Sequence, residues 1–468
     1  VKLSELIKGT GATILRGSPD TEIGAICIDS RKAAAGSAFI AVKGSSSDGH
    51  AYVDAAMQAG AVAAIDADRR AVALLADRFY GHPSGKLELV GITGTNGKTT
   101  TVTLLYRLFR SLGEKCGLIS TIANWVDDRR IETLNTTPDA LTINALLAEM
   151  VEAGCTKCFM EVSSIGLEQD RTAGLEFKVA IFSNLTHDHL DYHGTFAEYL
   201  RCKKLFFDGL GAQAVALINT DDRNGRVMVQ NCKARTVTYS CRSLADHSAR
   251  IVEESFEGML LKIDGREVWT RLTGRHNAYN ILAIYSTAVE LGAPVEEALV
   301  AISTLEAAPG RLQTLHGPHG INAVIDYAHT PDALENVLGT LRAVSPKSQL
   351  VCLFGCGGDR DKTKRPEMGR IAAAMADRII ITSDNSRTER TEDIIEDIKA
   401  GIPAEALGRC ISIPDRREAI RAAISFAPDG ATVLLAGKGH EDYQIIGTEK
   451  RHFDEVEIVK EVFKTLTA

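Results

Sequence analysis

The stretch Leu87 to Thr100, LELVGITGTNGKTT, decides how the rest of the chain is read. Leu87 to Thr93 is a short apolar run that reads as a buried strand. From Thr100 onward Val102, Leu105, Leu108, Phe109 and Leu112 recur at helical spacing. Between the two lies Gly94-Thr95-Asn96-Gly97-Lys98-Thr99. A glycine-rich turn at a helix start aims successive backbone N–H groups and the positive helix end at one spot, and Lys98 adds a full charge there. The hydroxyl of Thr99 stands where it can hold a magnesium ion. Strand, loop and helix in this order predict a phosphate-binding loop rather than a glycine turn without a ligand. Where the longer form of such loops has its first glycine, this chain has Ile92. The shorter GxxGKT form argues against the common GTPase and motor families.

Working outward, 468 residues are enough for about three domains. A hydrophobic content of 45% and a charged content of 24% are ordinary for a globular protein. The net charge of −8 advertises no face for nucleic acid, so nucleotides must be met by local basic groups. No apolar run approaches the length of a membrane span. The start, VKLSELIKG, lacks the apolar stretch of a signal peptide. Ten scattered cysteines fit free thiols in a reducing cytoplasm, and a monomer is expected. Cys155 and Cys158, like Cys352 and Cys356, read as packing residues, because no second pair completes a metal site.

The fold class expected is α/β in three domains, over residues 1–86, 87–308 and 309–468. In the first, Ala38 to Val42 reads as a strand and Tyr52 to Ala64 as a helix running into a strand, with His82 to Gly85 as a linker. In the second, CFMEV (Cys158–Val162), VAIFSN (Val179–Asn184) and AVALIN (Ala214–Asn219) are strands. A more β-like stretch follows at about 235 to 273, then a helix from about Asn277 to Leu291. In the third, NAVIDYA, QLVCLFG, RIIITS and TVLLAGKG alternate with helices. Such alternation means mostly parallel sheets with helices on both faces and ligands at the carboxyl ends of the strands.

Those strand ends carry the chemistry. Glu161 ends one strand, where it reads either as a magnesium ligand or as a solvated or capping carboxylate. The next strand ends in Leu185-Thr186-His187-Asp188-His189-Leu190-Asp191-Tyr192-His193. No cysteine or distant histidine set completes a tetrahedral zinc site, so magnesium and phosphate chemistry is the preferred reading. Thr195 and Glu198 form a capping box for a helix that carries Lys203 and Lys204. Both lysines can be solvated. Alternatively one faces the metal site, where a depressed pKa would let its free amine add CO2 and supply a carbamate ligand.

GTNGKTT, EVSS, NLTHDHLDYHG and the YxxxKxxxF helix together resemble the Mur ligases, the ATP-dependent amino-acid-adding enzymes of peptidoglycan synthesis. The resemblance runs over essentially the whole chain; the middle third alone also resembles folylpolyglutamate synthase. Asp29-Ser30-Arg31, Phe39 to Gly44 and Asp48-Gly49-His50 look like a UDP-binding first domain, and Asp326 to Pro331, Gly358 to Asp361, Lys364 to Pro366 and Gly437 to Glu441 like the matching last domain. The resemblance implies a UDP-substrate-binding domain, a central P-loop ATPase domain and a C-terminal Rossmann-like domain. It implies that Gly94, Thr95, Asn96, Gly97, Lys98, Thr99 and Thr100 bind ATP, with Asn277, Arg311 and Asp326 as further nucleotide contacts. Thr99, Glu161, His189 and a carbamylated Lys203 (an N6-carboxylysine) would hold Mg2+. Lys98, Lys203, His189 and Glu161 would be the catalytic set. Ser30, Asn135, Thr136, Thr137, Ser163, Gln169 and Arg171 would hold the UDP-linked muramoyl peptide. Two departures stand out: Ile165 replaces a histidine common in relatives, and Ser386 replaces the proline of Asp-Asn-Pro-Arg, losing a fixed φ.

The implied substrates are ATP, UDP-N-acetylmuramoyl-L-alanyl-D-glutamate and meso-diaminopimelate. The D-glutamate carboxylate attacks the γ-phosphate to give an acyl phosphate, which the amine of the incoming amino acid captures. Because the nucleotide loop and the amine site lie on different domains, closure of the last domain is expected. The amino-acid site would comprise Arg360, Asp384, Asn385, Arg387, Gly437 and Glu441. Arg387 is the discriminator between diaminopimelate and lysine: a guanidinium clamps a distal carboxylate through two parallel hydrogen bonds. Lysine would leave it unpaired at a cost of roughly 2–5 kcal/mol. Arg360 could hold another carboxylate and Glu441 the distal ammonium. As a bare residue in Ser-Arg-Thr-Glu-Arg-Thr, Arg387 also reads as a surface charge. The competing readings are a lysine-adding ligase, a folate polyglutamylating ligase, a non-catalytic binding protein on the same fold and a plain ATP hydrolase.

Overall fold

The computed structural model describes residues 1–44, 47–186 and 190–466. They form three α/β domains, each built on its own sheet. The first sheet has four strands in the order Thr13–Arg16, Ala63–Asp66, Ser37–Ala41, Ala25–Cys27, parallel except for the first. His82 to Gly85, expected as a linker, is pinned: a 3-10 turn spans Pro83–Lys86, and Ser84 Oγ accepts from the Glu176 amide at 3.0 Å.

The second sheet is the widest, with 11 strands. Its parallel centre runs Val215–Asn219, Phe177–Phe182, Glu88–Thr93, Lys157–Glu161, Cys116–Ile119. Lys157–Glu161 and Val215–Asn219 are buried along their whole length, as strands covered on both faces must be. One face packs on helices Lys98–Ser111 and Arg275–Glu290, the other on Ala140–Glu152 and Phe196–Asp208. The β-like stretch after residue 235 continues the sheet as Arg235–Ser240 and the antiparallel strands His247–Ser255, Gly258–Ile263 and Arg266–Thr270.

The third sheet has six strands, in the order Gln313–His316, Asn322–Asp326, Thr432–Ala436, Leu350–Phe354, Arg378–Ile381, Cys410–Ser412, and only the first is antiparallel. A hairpin the sequence reading did not anticipate, Tyr443–Ile446 with Glu449–His452, follows it. The four cysteines of the two close pairs are buried, which raises their thiols, those of Cys352 and Cys356 to about 12. Among the described residues no helix is long and apolar enough to cross a membrane.

Candidate active site

Gly94 follows strand Glu88–Thr93, Glu161 ends Lys157–Glu161, and Ser183 to Thr186 follow Phe177–Phe182, so three neighbouring strands deliver their carboxyl ends to one place. The loop after the first is made possible by its glycines. Gly94 has φ +153° and Gly97 φ +89°, and a Cβ would run into Ser183 Oγ at the first and Asn280 Oδ1 at the second. The loop is fastened from behind: Thr95 and Asn96 amides donate to the backbone and side-chain oxygens of Asn184, both at 2.9 Å, and Ser183 Oγ donates to Asn96 O at 2.7 Å. Helix Lys98–Ser111 begins at Gly97 with no side-chain cap, so its first amides remain for an anion.

Around the loop stand the charged groups. Lys98 Nζ donates to Gly94 O and Thr95 O, both at 2.9 Å. Lys203 Nζ, 1% exposed, donates to the same Gly94 oxygen at 2.8 Å and lies 4.6 Å from the Tyr199 ring centre. Lys204 turns away to Asp208 at 2.5 Å, which settles which lysine of the pair faces the site. The helix carrying them is capped by Thr195 Oγ1 at 3.2 Å from the Glu198 amide. The return half of the expected capping box is replaced by a Glu198–Arg201 pair at 2.5 Å.

Glu161, 1% exposed, accepts from the Thr99 hydroxyl at 3.0 Å and from the Thr121 amide at 2.8 Å. Thr99 and Glu161 are oxygen donors, one of them anionic, facing a cavity of about 180 Å3 that Lys98 and Lys203 also line. That donor set fits a hard divalent cation, which protein sites typically bind through one or two carboxylates. Among the described residues no group of three or more His, Cys, Asp or Glu side chains could hold a metal. His189 lies outside the described residues.

Two more cavities open from this centre. One, about 280 Å3, is lined by Asn96, Gly97, Thr100, His276, Asn277, Asn280, Arg311 and Asp326. Asn277 is fixed by Nδ2 donating to Thr273 O at 2.7 Å. Burial, helped by the charge of Arg311, pushes the His276 imidazole down to about 4 and keeps it neutral. Arg311 borders both cavities: Nη2 donates to Thr99 Oγ1 at 3.3 Å, the guanidinium carbon lies 4.7 Å from the Tyr327 ring centre, and Nε is buried with no partner. Asp326 accepts from the Leu312 amide at 2.7 Å, and burial raises its carboxyl.

The other cavity, about 450 Å3, is lined by Ile165, Tyr192, His329, Arg360, Lys364, Asp384, Asn385, Arg387, Gly437 and Glu441. Arg387 has φ +51°; its Nη1 donates to Gly358 O at 2.8 Å and Asn385 O at 3.3 Å. Arg360 Nη1 donates to Asp359 O at 3.1 Å. Neither arginine has a carboxylate partner among the described residues. Glu441, whose carboxyl burial raises, is already held by Lys438 Nζ at 3.1 Å and Asn385 Nδ2 at 2.9 Å. Lys438, fully buried, was the residue to notice in Gly437-Lys438-Gly439; the signal was a lysine inside a run that ends a buried strand.

The residues expected to hold the sugar-nucleotide peptide divide. Thr136 and Ser163 line the central cavity. Thr137 Oγ1 donates to Glu161 O at 2.8 Å, Arg171 Nη1 to Thr137 O at 2.6 Å and Nη2 to Gln169 Oε1 at 2.7 Å, forming one connected set. Ser163 Oγ also caps the following helix through the Gly166 amide at 3.1 Å. Ser30 and Asn135 line none of the three cavities. The middle and last domains meet at the loop itself: Asn96 Nδ2 donates to Asp332 Oδ2 at 2.7 Å, and Thr186 Oγ1 reaches the same oxygen at 3.2 Å.

Comparison with known proteins agrees with this layout. The Mur ligase middle domain matches residues 92–288, the Mur ligase glutamate ligase domain 310–439 and the Mur ligase family catalytic domain 22–88. The chain is 47% identical over 484 residues to UDP-N-acetylmuramoyl-L-alanyl-D-glutamate--2,6-diaminopimelate ligase of Cytophaga hutchinsonii, covering 100% of both chains. It is 48% identical over 483 residues to the ligase of the same name from Parabacteroides distasonis, covering 99% of each. A solved structure of a UDP-N-acetylmuramoyl-L-alanyl-D-glutamate--2,6-diaminopimelate ligase superposes with a TM-score of 0.71 at 32% identity, over 100% of this chain and 99% of that one. The chain belongs to the Mur ligase family and is an ATP-dependent, amide-forming ligase.

Proposed function

We propose that this protein adds meso-diaminopimelate to UDP-N-acetylmuramoyl-L-alanyl-D-glutamate in peptidoglycan synthesis, at the expense of ATP. The observation that carries the choice of amino acid is the pair Arg360 and Arg387, both facing one cavity and neither paired with a carboxylate. Two guanidiniums call for two carboxylates, and diaminopimelate has one at each end where lysine has one only. The named relatives, which the chain matches from end to end, are 2,6-diaminopimelate ligases. The folded first domain and end-to-end match leave the folate reading without support.

In this reading the loop Gly94 to Thr100 is a P-loop. The uncapped amides of helix Lys98–Ser111 and the Lys98 ammonium offset the triphosphate charge, against which a carboxylate must approach. The adenosine would occupy the cavity lined by neutral His276 and Asn277, with Arg311 reaching from it toward the phosphates. Thr99 and Glu161 would hold Mg2+, which lowers the barrier by sharing the phosphate charge. The D-glutamate carboxylate displaces ADP to form an acyl phosphate; the amine of diaminopimelate, coming from the cavity of Arg360 and Arg387, then expels phosphate. Contact between Asn96 and Asp332 keeps the last domain against the loop, shielding the acyl phosphate from water.

Lys203 would carry a carbamate, formed when its amine adds CO2 and releases a proton. Its approach to Gly94 O beside Lys98 supports this, since a carbamate turns a repulsion between two ammoniums into an attraction. ATP and nucleotide sugars are both made inside the cell, so the reading carries a cytoplasmic location with it. The deciding experiment is mass spectrometry of the product formed from the UDP-linked dipeptide, ATP and a mixture of diaminopimelate, lysine and glutamate. A product carrying diaminopimelate is expected; one carrying another amino acid, or ATP consumed with no new amide, would overturn the reading.

A further inference from the structure

The arginines that face the amino-acid cavity stand on two loops, 357–360 and 385–389, which run side by side. The Gly358 amide donates to Asn385 O at 2.9 Å, and Thr388 Oγ1 donates to Asp359 Oδ1 at 2.7 Å. The contact is tight enough that a Cβ on Gly358 would strike the carbonyl of Ser386. Behind both loops lies Arg365, which is fully buried yet does not line the cavity. Its Nη2 donates to Gly357 O at 3.2 Å and to Glu389 Oε1 at 2.9 Å, and its Nη1 donates to Glu389 Oε2 at 3.0 Å. Glu389 in turn accepts from the Asp359 amide at 2.7 Å. One guanidinium and one carboxylate thus grip the first loop at Gly357 and Asp359 and the second at Glu389.

Burying the Arg365 guanidinium against a carboxylate that is itself partly exposed is a poor way to gain stability, because desolvation of the guanidinium offsets much of the attraction. What a two-pronged arginine–carboxylate pair does supply is a fixed distance and orientation. We propose that Arg365, through Glu389, is a positioning residue that sets the spacing of Arg360 and Arg387, and with it the preference for an amino acid that carries two carboxylates. The inference rests on the reading of that cavity as the amino-acid site. A lysine at 365 keeps the charge but not the fork, and a glutamine at 389 keeps the shape but not the charge. Either lets the loops slide relative to each other, and two carboxylates at fixed separation are more sensitive to that slide than a single one.

The test is steady-state kinetics of Arg365→Lys and Glu389→Gln with each of the three substrates varied in turn, together with the ratio of kcat/KM for diaminopimelate over lysine. The KM for diaminopimelate is expected to rise about tenfold, the cost of one charge-assisted hydrogen bond. The KM values for ATP and the UDP-linked dipeptide stay within about twofold, and the selectivity ratio falls in step with the first. Asp397→Asn removes the outer, half-exposed partner of Arg365 at 2.8 Å and is expected to leave all three KM values within about twofold. If Arg365→Lys does not fold, Glu389→Gln decides. A folded Glu389→Gln with unchanged diaminopimelate KM and selectivity overturns the proposal, as does a rise of all three KM values together. The wild type, run alongside on the amino-acid mixture, separates the two questions. If it uses another amino acid the acceptor assignment fails, and the same KM split measured with that amino acid still tests the bracket.

Discussion

Lys98 and Lys203 donate to one and the same acceptor, the carbonyl oxygen of Gly94, at 2.9 and 2.8 Å. They reach it from two different helices, Lys98 from the one the loop opens and Lys203 from Phe196–Asp208, 105 residues further along the chain than Lys98. Two ammoniums on one oxygen would repel, and the carbamate proposed for the buried partner would remove that repulsion. Lys203→Ala should therefore lower kcat by about 10²–10³-fold, as loss of one preorganised electrostatic group does, and leave ATP binding nearly intact. Acetate should restore part of the activity. Wild-type activity should fall in bicarbonate-depleted buffer and return on its addition, and the alanine variant should respond to neither. A bicarbonate-insensitive wild type would remove the carbamate from the account.

Gly97→Ala tests the loop geometry. The position has φ +89° and faces Asn280 Oδ1, so a methyl group costs both backbone strain and displacement of a buried amide. About 1–3 kcal/mol of strain is expected, appearing chiefly as a tenfold or greater rise in the KM for ATP. The thermal midpoint should drop only a few degrees, because the loop covers the sheet end and fills no core. A variant with unchanged ATP affinity would mean that the loop does not grip the nucleotide.

The parallel centre of each large sheet was legible because its strands are short apolar runs punctuated by glycine and polar ends, and Leu87–Thr93 is the plainest of them. The residues gathered around those strand ends were legible too: Thr99, Glu161 and Lys203, the first and last of them on helices, line one cavity. What the sequence hid is what depends on partners far along the chain. Nothing in Lys203-Lys204 says which lysine faces inward until Asp208 takes the second. The hairpin after Tyr443 is built on a two-residue Gly447-Thr448 turn, a weak local signal. Yet it pins Arg387: the Arg387 amide donates to Ile445 O at 3.2 Å, and the Gly447 amide donates to Arg387 O at 2.8 Å. Arg365 enters the sequence reading only within the Lys364-Arg365-Pro366 motif, since burial of an arginine on a helix cannot be read before the helix has neighbours.

Two imidazoles beside Arg311 make a pH prediction. His276 and His440 are both pushed down to about 4, by burial first and by the guanidinium second. An unfolded histidine binds its proton near 6.5, so between that value and about 4 the unfolded chain holds protons that the folded one refuses. Stability is then full above pH 6.5 and is lost as pH falls toward 4. Urea unfolding of the wild type at pH 7 and pH 4.5 should show this loss. Replacing His276 by glutamine should shrink the difference by on the order of 2 kcal/mol, and the double variant His276→Gln, His440→Gln should shrink it further. Identical pH slopes for wild type and double variant would show that these rings are not the groups responsible.

Arg387 is the residue proposed to decide the choice of amino acid, and its surroundings say how to test it. The left-handed backbone at φ +51° and the two carbonyls that take Nη1 hold the planar guanidinium at the cavity that Arg387 lines. Arg387→Lys keeps a positive charge in the cavity but presents a point where the substrate carboxylate needs two parallel donors. The kcat/KM for diaminopimelate should fall about 10²–10³-fold, corresponding to the 2–5 kcal/mol of a truncated buried charge pair. Lysine, which has no distal carboxylate to lose, should change by less than about threefold. Selectivity would then drop because the good substrate gets worse, not because the poor one improves. Arg360→Lys serves as the comparison: if Arg360 holds the carboxylate that both amino acids share, that variant should lower turnover of both by similar factors. Equal losses for the two amino acids in Arg387→Lys would refute the clamp and return Arg387 to the role of a surface charge beside the site.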